Sequence, residues 1–189
     1  KWREGVVSFK DKQISLSLKD ICDTLELILK KDPKVVQSIV KLDFSGNNLS
    51  SKRPLYNQNL EAFCEKPSFF ALNVSKEYEI PVSINKFCNL LSYFKNIEEV
   101  NLANCKLTPD ELSVVLQELL SYKELKKLNL DQNIVSDNPL VLAKLIDLIN
   151  INQIMLLSLN HCLLKASFVE RLILNLRKNF NNLYILHLE

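Results

Sequence analysis

Glycine is almost missing from this chain: two in 189 residues, Gly5 and Gly46, far apart. A phosphate cradle of the Gly-rich kind needs several close together, and a flexible Gly/Ser linker needs many, so both are excluded. Histidine is equally scarce. His161 and His187 are the whole supply, and neither stands at metal-ligand spacing from other candidate ligands. Adjacent His161 and Cys162 point apart in a turn and do not make a nucleophile-base pair. No stretch of about twenty uncharged apolar residues exists, which removes a helical membrane span. Charge of one sign is lacking too. Twenty-four Lys and Arg against 22 Asp and Glu leave a net charge of +2, without the footprint that nucleic acid binding requires. The densest basic groups, Lys30-Lys31 with Lys34 and Arg171 with Arg177-Lys178, fall at or near predicted helices, where they read as solvated faces. Five cysteines, Cys22, Cys64, Cys88, Cys105 and Cys162, are an odd number without paired spacing. They exclude a disulfide framework or zinc knuckle and point to reduced, buried thiols in an intracellular, cytoplasmic setting.

What is present is a recurring apolar signature. It reads Ile39-x-x-Leu42-x-Phe44-x-x-Asn47-x-Leu49, then Ile97-x-x-Val100-x-Leu102-x-x-Cys105-x-Leu107. Leu125-x-x-Leu128-x-Leu130-x-x-Asn133-x-Val135 and Ile154-x-x-Leu157-x-Leu159-x-x-Cys162-x-Leu164 follow. Taking the second apolar position of each unit gives Ile14, Leu42, Leu72, Val100, Leu128, Leu157 and Leu186, with steps of 28, 30, 28, 28, 29 and 29. Chance leucines do not hold such a register. In the first unit the opening position is Asp11, so residues 1–38 read as a capping-like N-terminal unit.

Between signatures the apolar residues change period. Phe87, Leu90, Leu91 and Phe94 stand at i, i+3, i+4 and i+7, and Leu112, Val115, Leu116 and Leu119 repeat the spacing. So do Leu142, Leu145, Ile146 and Ile149, and Val169, Leu172, Ile173 and Leu176. This is the stripe of a helix with one buried face. Thr108-Pro109-Asp110-Glu111 supplies an N-cap, a proline at the first helical position and a capping-box glutamate. Asn138-Pro139 repeats the cap and proline, and Ser167 with Glu170 offers a further capping box. Strands separated by a helix must run parallel. Helices are wider than strands, so the stack bends with the sheet on its concave side.

Units of this length, a helix in each, and cysteine alternating with asparagine at Cys105, Asn133 and Cys162 resemble the ribonuclease-inhibitor-like class of leucine-rich-repeat proteins. The resemblance implies an α/β leucine-rich-repeat solenoid of about seven units of 28–30 residues, a single domain over 1–189. The chain opens Lys1-Trp2-Arg3 and stops at Glu189 inside a signature, so it is expected to be a piece of a longer protein. One unit departs from the pattern. Around Leu72, Glu77 holds the turn position and Glu79 a leucine position, with Pro54, Pro67 and Pro81 nearby. Residues 46–83 are therefore expected to form an irregular unit with a protruding loop.

The repeat accounts for nearly every Leu, Cys and turn Asn as structure, leaving no catalytic set, no cofactor site and no metal site to predict. Side chains alternate along a strand, so the residues between the core positions face the open side of the sheet. They include Lys41 and Asp43, Asn73, Glu99 and Asn101, Lys127, Asn129 and Asp131, Ser158 and Asn160, and His187. This polar ladder is the candidate surface for a partner protein, with Tyr56 and Tyr78 as candidate anchors on the irregular loop. The expected function is a monomeric, non-enzymatic protein-interaction module. Lys, Asn and Ile richness with few glycines suggests a bacterial effector acting in a host cell. The alternatives are a regulator of a small GTPase or of actin, and a ligand-sensing domain of an innate-immune receptor.

Overall fold

The computed structural model describes residues 5–10, 16–31, 33–50, 82–152, 154–178 and 183–189. Among the described residues six three-residue strands form one sheet: β1 (Val6–Ser8), β2 (Lys41–Asp43), β3 (Glu99–Asn101), β4 (Lys127–Asn129), β5 (Leu156–Ser158) and β6 (Ile185–His187). Their order in space is their order in sequence, and every pairing is parallel. The described residues between them form six helices: α1 (Leu18–Lys31), α2 (Pro33–Ser38), α3 (Val82–Leu91), α4 (Pro109–Leu119), α5 (Pro139–Ile151) and α6 (Ala166–Lys178). The result is a repeat-like α/β fold with an open, unclosed sheet.

The register confirms the spacing argument for most of the sheet. Leu42, Val100, Leu128, Leu157 and Leu186 are direct neighbours across it, and the first four are at most 1 % exposed. Two expectations are corrected. The strand beside β2 is not at Ile14; Val7 pairs with Leu42, and residues 11–15 lie outside the described residues. The Val7-x-Phe9 pair matches Leu42-x-Phe44, and the Phe9 and Phe44 rings stack with centroids 5.2 Å apart. The longer step from Val7 to Leu42 accommodates the extra helix α2. Second, β2 hydrogen-bonds directly to β3, so no strand at Leu72 stands between them as the seven-unit register requires. Phe44 N–H donates to Asn101 O at 2.8 Å, closing that junction. Asn73, Glu77, Tyr56 and Tyr78 fall outside the described residues.

Helix starts follow local chemistry. At α4, Thr108 N–H donates to Glu111 Oε2 at 2.9 Å and Glu111 N–H to Thr108 Oγ1 at 3.4 Å, the expected capping box. Asn138 Oδ1 accepts from Leu140 and Val141 N–H at 2.9 and 3.2 Å at the head of α5. The capping box expected at Ser167 and Glu170 does not form. Ser167 lies inside α6, and its hydroxyl donates to Asp137 Oδ2 at 3.0 Å in the preceding turn, where Arg171 also binds.

The turn position is where the repeat closes. Asn133 Nδ2 donates to Leu102 O at 2.7 Å and Leu130 O at 2.9 Å, while its Oδ1 accepts from Cys105 N–H at 3.2 Å. Asn47 does the same for Phe9 O and Phe44 O, accepting from Leu16 N–H. Cys105 and Cys162 keep only the donor half, their thiols reaching Phe44 O at 3.2 Å and Leu130 O at 3.3 Å of the preceding unit. Just before the turn residue, Gly46, Asn104, Gln132 and His161 all take positive φ, at 77, 52, 58 and 55°. Three of the four are not glycine, which is how a chain with so little glycine makes the bend repeatedly.

Burial raises these thiols. Cys105 is pushed up to about 12 and Cys162 to about 11, and burial likewise lifts Cys88 to about 12 and Cys22 to about 11. Folded values above the unfolded one mean a contribution to stability that is full below about pH 8.5 and lost as pH climbs through about 11–12. Two outcomes are expected: these four thiols stay unmodified by a thiol reagent at neutral pH until urea unfolds the chain, and the urea midpoint falls above about pH 9. Mass mapping of the labelled peptides checks the first; labelling of Cys105 in the native state would contradict its burial.

Candidate functional site

The helices cover one face of the sheet, so the other face presents three columns of side chains, one on each side of the core column's pleat and one past the strand ends. The entry column runs Lys41, Glu99, Lys127, Leu156, Ile185. The middle column runs Ser8, Asp43, Asn101, Asn129, Ser158, His187. Ser45, Ala103, Asp131, Asn160 and Glu189 follow two residues further along each strand. The structure thus brings together the strand residues predicted from sequence, apart from Asn73, which like Tyr56 and Tyr78 lies outside the described residues, and adds Ser8 at the head of the ladder.

Half of that ladder's bonding capacity is structural. Asp43 Oδ1 accepts from Ser45 N–H at 3.1 Å, Asn101 Oδ1 from Ala103 N–H at 3.0 Å and Asn129 Oδ1 from Asp131 N–H at 2.9 Å. Each side chain turns its own backbone out of the strand two residues on, the Asx-turn device. Ser158 does not close its own turn, and the role passes across the sheet. Asp131 Oδ1 accepts from Asn160 N–H at 2.8 Å and Ser158 Oγ at 2.7 Å, and Asn160 Oδ1 accepts from Glu189 N–H at 3.0 Å.

The remaining groups are free to meet another molecule. Among the described residues Asn101 and Asn129 keep unpaired Nδ2 donors. Lys41 is held in an ion pair with Glu99, and Glu98 and Lys126 pair at 3.1 Å one residue earlier, so the exposed Lys127 ammonium has no carboxylate among the described residues. Beside Lys127 the surface becomes apolar. Leu156 and Ile185 continue its column, and Met155 and Tyr184 sit just before those strands, where Tyr184 N–H donates to Met155 O at 3.0 Å. Tyr184 is 75 % exposed, Ile185 44 % and Met155 41 %. No aromatic falls among the strand positions that alternation turns to the open face, and Tyr184 lies just outside them. Tyr184 stands one residue before the entry column, and an aromatic immediately preceding an edge strand was the available signal.

Ser158, His187 and Asp131 are near one another without a relay geometry. Ser158 donates to Asp131 directly, is 3 % exposed, and meets His187 Nδ1 at 3.4 Å, so the histidine does not lie between hydroxyl and carboxylate. Among the described residues no group of three His, Cys, Asp or Glu could hold a metal ion, and no helix is long and apolar enough to cross a membrane.

No family model matches the chain, and no curated protein matches it. Among solved structures, "Leiomodin-1 Actin-Binding Site 2 (ABS2)" is similar, with a TM-score of 0.46 and 18 % identity. The match covers 56 % of this chain and 61 % of that one, less than two thirds of its length.

Proposed function

We propose that this chain is a leucine-rich-repeat solenoid of the ribonuclease-inhibitor-like class acting as a monomeric, non-enzymatic protein-interaction module. The donor ladder of Asn47, Cys105, Asn133 and Cys162 at successive turns supports the class. One observation carries the interaction reading: the unpaired Lys127 ammonium and the free amides of Asn101 and Asn129 adjoin an exposed strip of Met155, Leu156, Tyr184 and Ile185. Interfaces concentrate their binding free energy in aromatic anchors framed by polar groups, and this strip has that composition. A partner protein with a complementary apolar patch and a carboxylate beside it would be held there.

Affinity capture identifies the partner, and Tyr184→Ala then tests the site. The expected loss is about 30-fold in affinity, with the melting temperature unchanged because the ring is mostly solvated. Lys127→Glu is expected to weaken binding about tenfold and to reduce its salt dependence. Undiminished binding by both variants would move the site off this face.

A further inference from the structure

On the helical side, α2 packs against α1 but not against α3. Between them lies a cleft of about 520 Å³ lined by Glu26, Leu29, Lys30, Val36, Gln37, Leu90 and Tyr93. It arises from the extra helix. A unit that runs from strand to helix to strand packs its helix flush with the next; here α2 is inserted before β2, and Asn96 Nδ2, in the loop between α3 and β3, donates to Gln37 O at 2.8 Å. That bond fixes the width of one end.

The floor is apolar: Val36 is 4 % and Leu90 8 % exposed, and Leu29 packs beside them. At the mouth stands Tyr93, 63 % exposed. The charged groups are unequally occupied. Glu26 is engaged by Lys86 at 2.8 Å, and the same ammonium reaches Asp23 at 3.8 Å. Among the described residues Lys30 has no carboxylate within ion-pair distance and the Tyr93 hydroxyl has no partner. What the mouth offers is thus a cation and a phenol donor above an apolar floor. Its lining comes from α1, α2 and the end of α3 with Tyr93, and it is partly open to solvent, so apolar side chains presented by a helix laid across it can reach the floor.

We propose that this cleft docks an acidic amphipathic helix of a partner protein, whose large apolar side chains one turn apart rest on Leu29, Val36 and Leu90. A carboxylate of the same helix faces Lys30, and Tyr93 closes over the apolar pair as the aromatic anchor. This surface is separate from the open sheet face, so the chain can hold two protein segments at once.

A displayed library of random peptides, selected on the intact chain, tests the assignment. Enriched peptides are expected to carry large apolar residues at i and i+3 or i+4 with Asp or Glu beside them. Tyr93→Ser should weaken a synthesised consensus peptide about 30-fold and Lys30→Glu about tenfold. A peptide with lysine in place of that carboxylate should recover binding to Lys30→Glu. Both cleft residues are exposed at the surface, so the variants keep their melting temperature within a few degrees. Enrichment of no peptide, or of peptides indifferent to both cleft variants, overturns the proposal. Binding of dodecanoate that is lost in Lys30→Glu and Tyr93→Ser, without peptide binding, would make the cleft a fatty-acid site and overturn it equally.

Discussion

Asn133→Ala is expected to lower the unfolding free energy by about 3–5 kcal/mol, read as a fall in the urea midpoint at constant slope. The side chain is 1 % exposed and joins two units at once. Its Nδ2 satisfies the carbonyls of Leu102 and Leu130, and its Oδ1 satisfies the N–H of Cys105. Alanine would leave Leu102 O and the Cys105 N–H without their side-chain partner, at about 1–3 kcal/mol each, and Leu130 O with the Cys162 thiol alone. Asn133→Cys makes the argument specific. Cys162 in the next unit shows that a thiol can serve the preceding carbonyl alone, so cysteine at 133 should cost about half as much as alanine. Equal midpoints for the two variants would mean that the turn bonds contribute little and volume alone matters.

Tyr122→Ala should cost about 4–5 kcal/mol, the upper range for a large aromatic removed from a closed core. Tyr122 is fully buried, and its hydroxyl donates to Leu91 O at 2.6 Å, at the end of α3. Asn152 continues the same seam, donating to Leu119 O at 3.1 Å and Tyr122 O at 2.6 Å. The C-terminal carbonyls of α3 and α4 are thereby satisfied from the neighbouring unit. Tyr122→Phe separates the two contributions: it keeps the ring and removes the bond, for an expected loss of about 1–2 kcal/mol. If phenylalanine were as destabilising as alanine, the hydrogen bond and not the packing would dominate the seam.

These two residues differ in how visible they are in the sequence. Asn133 is announced by position, since its place in a 28- to 29-residue register demands a group that can satisfy a strand end. Tyr122 is only half marked. It stands 28 residues after Phe94, so its ring falls on the repeated stripe, but only the stacking of α3 against α4 brings its hydroxyl to Leu91 O. The site shows the same division. The face on which Asn101 and Asn129 lie follows from strand alternation, but which of their atoms remain free does not. Their Oδ1 atoms close the following turns, a use set by local backbone shape, and that leaves only the amide donors exposed. Tyr184 and Met155 become neighbours because β5 and β6 pair, bringing together positions 29 residues apart.

By itself the sequence determined the parallel strands at Leu42, Val100, Leu128, Leu157 and Leu186, most of the helix stripes, and the turn residues. These depend on period and on local hydrogen-bonding chemistry, both of which are written in consecutive residues. Tertiary structure alone decided that Val7 pairs with Leu42, that β2 meets β3 directly, and that the extra helix α2 leaves a cleft against α3. Each of those turns on competition between segments for the same sheet edge or the same helix face. A single repeated pattern cannot settle that competition, because every unit matching it is equally qualified until packing chooses among them.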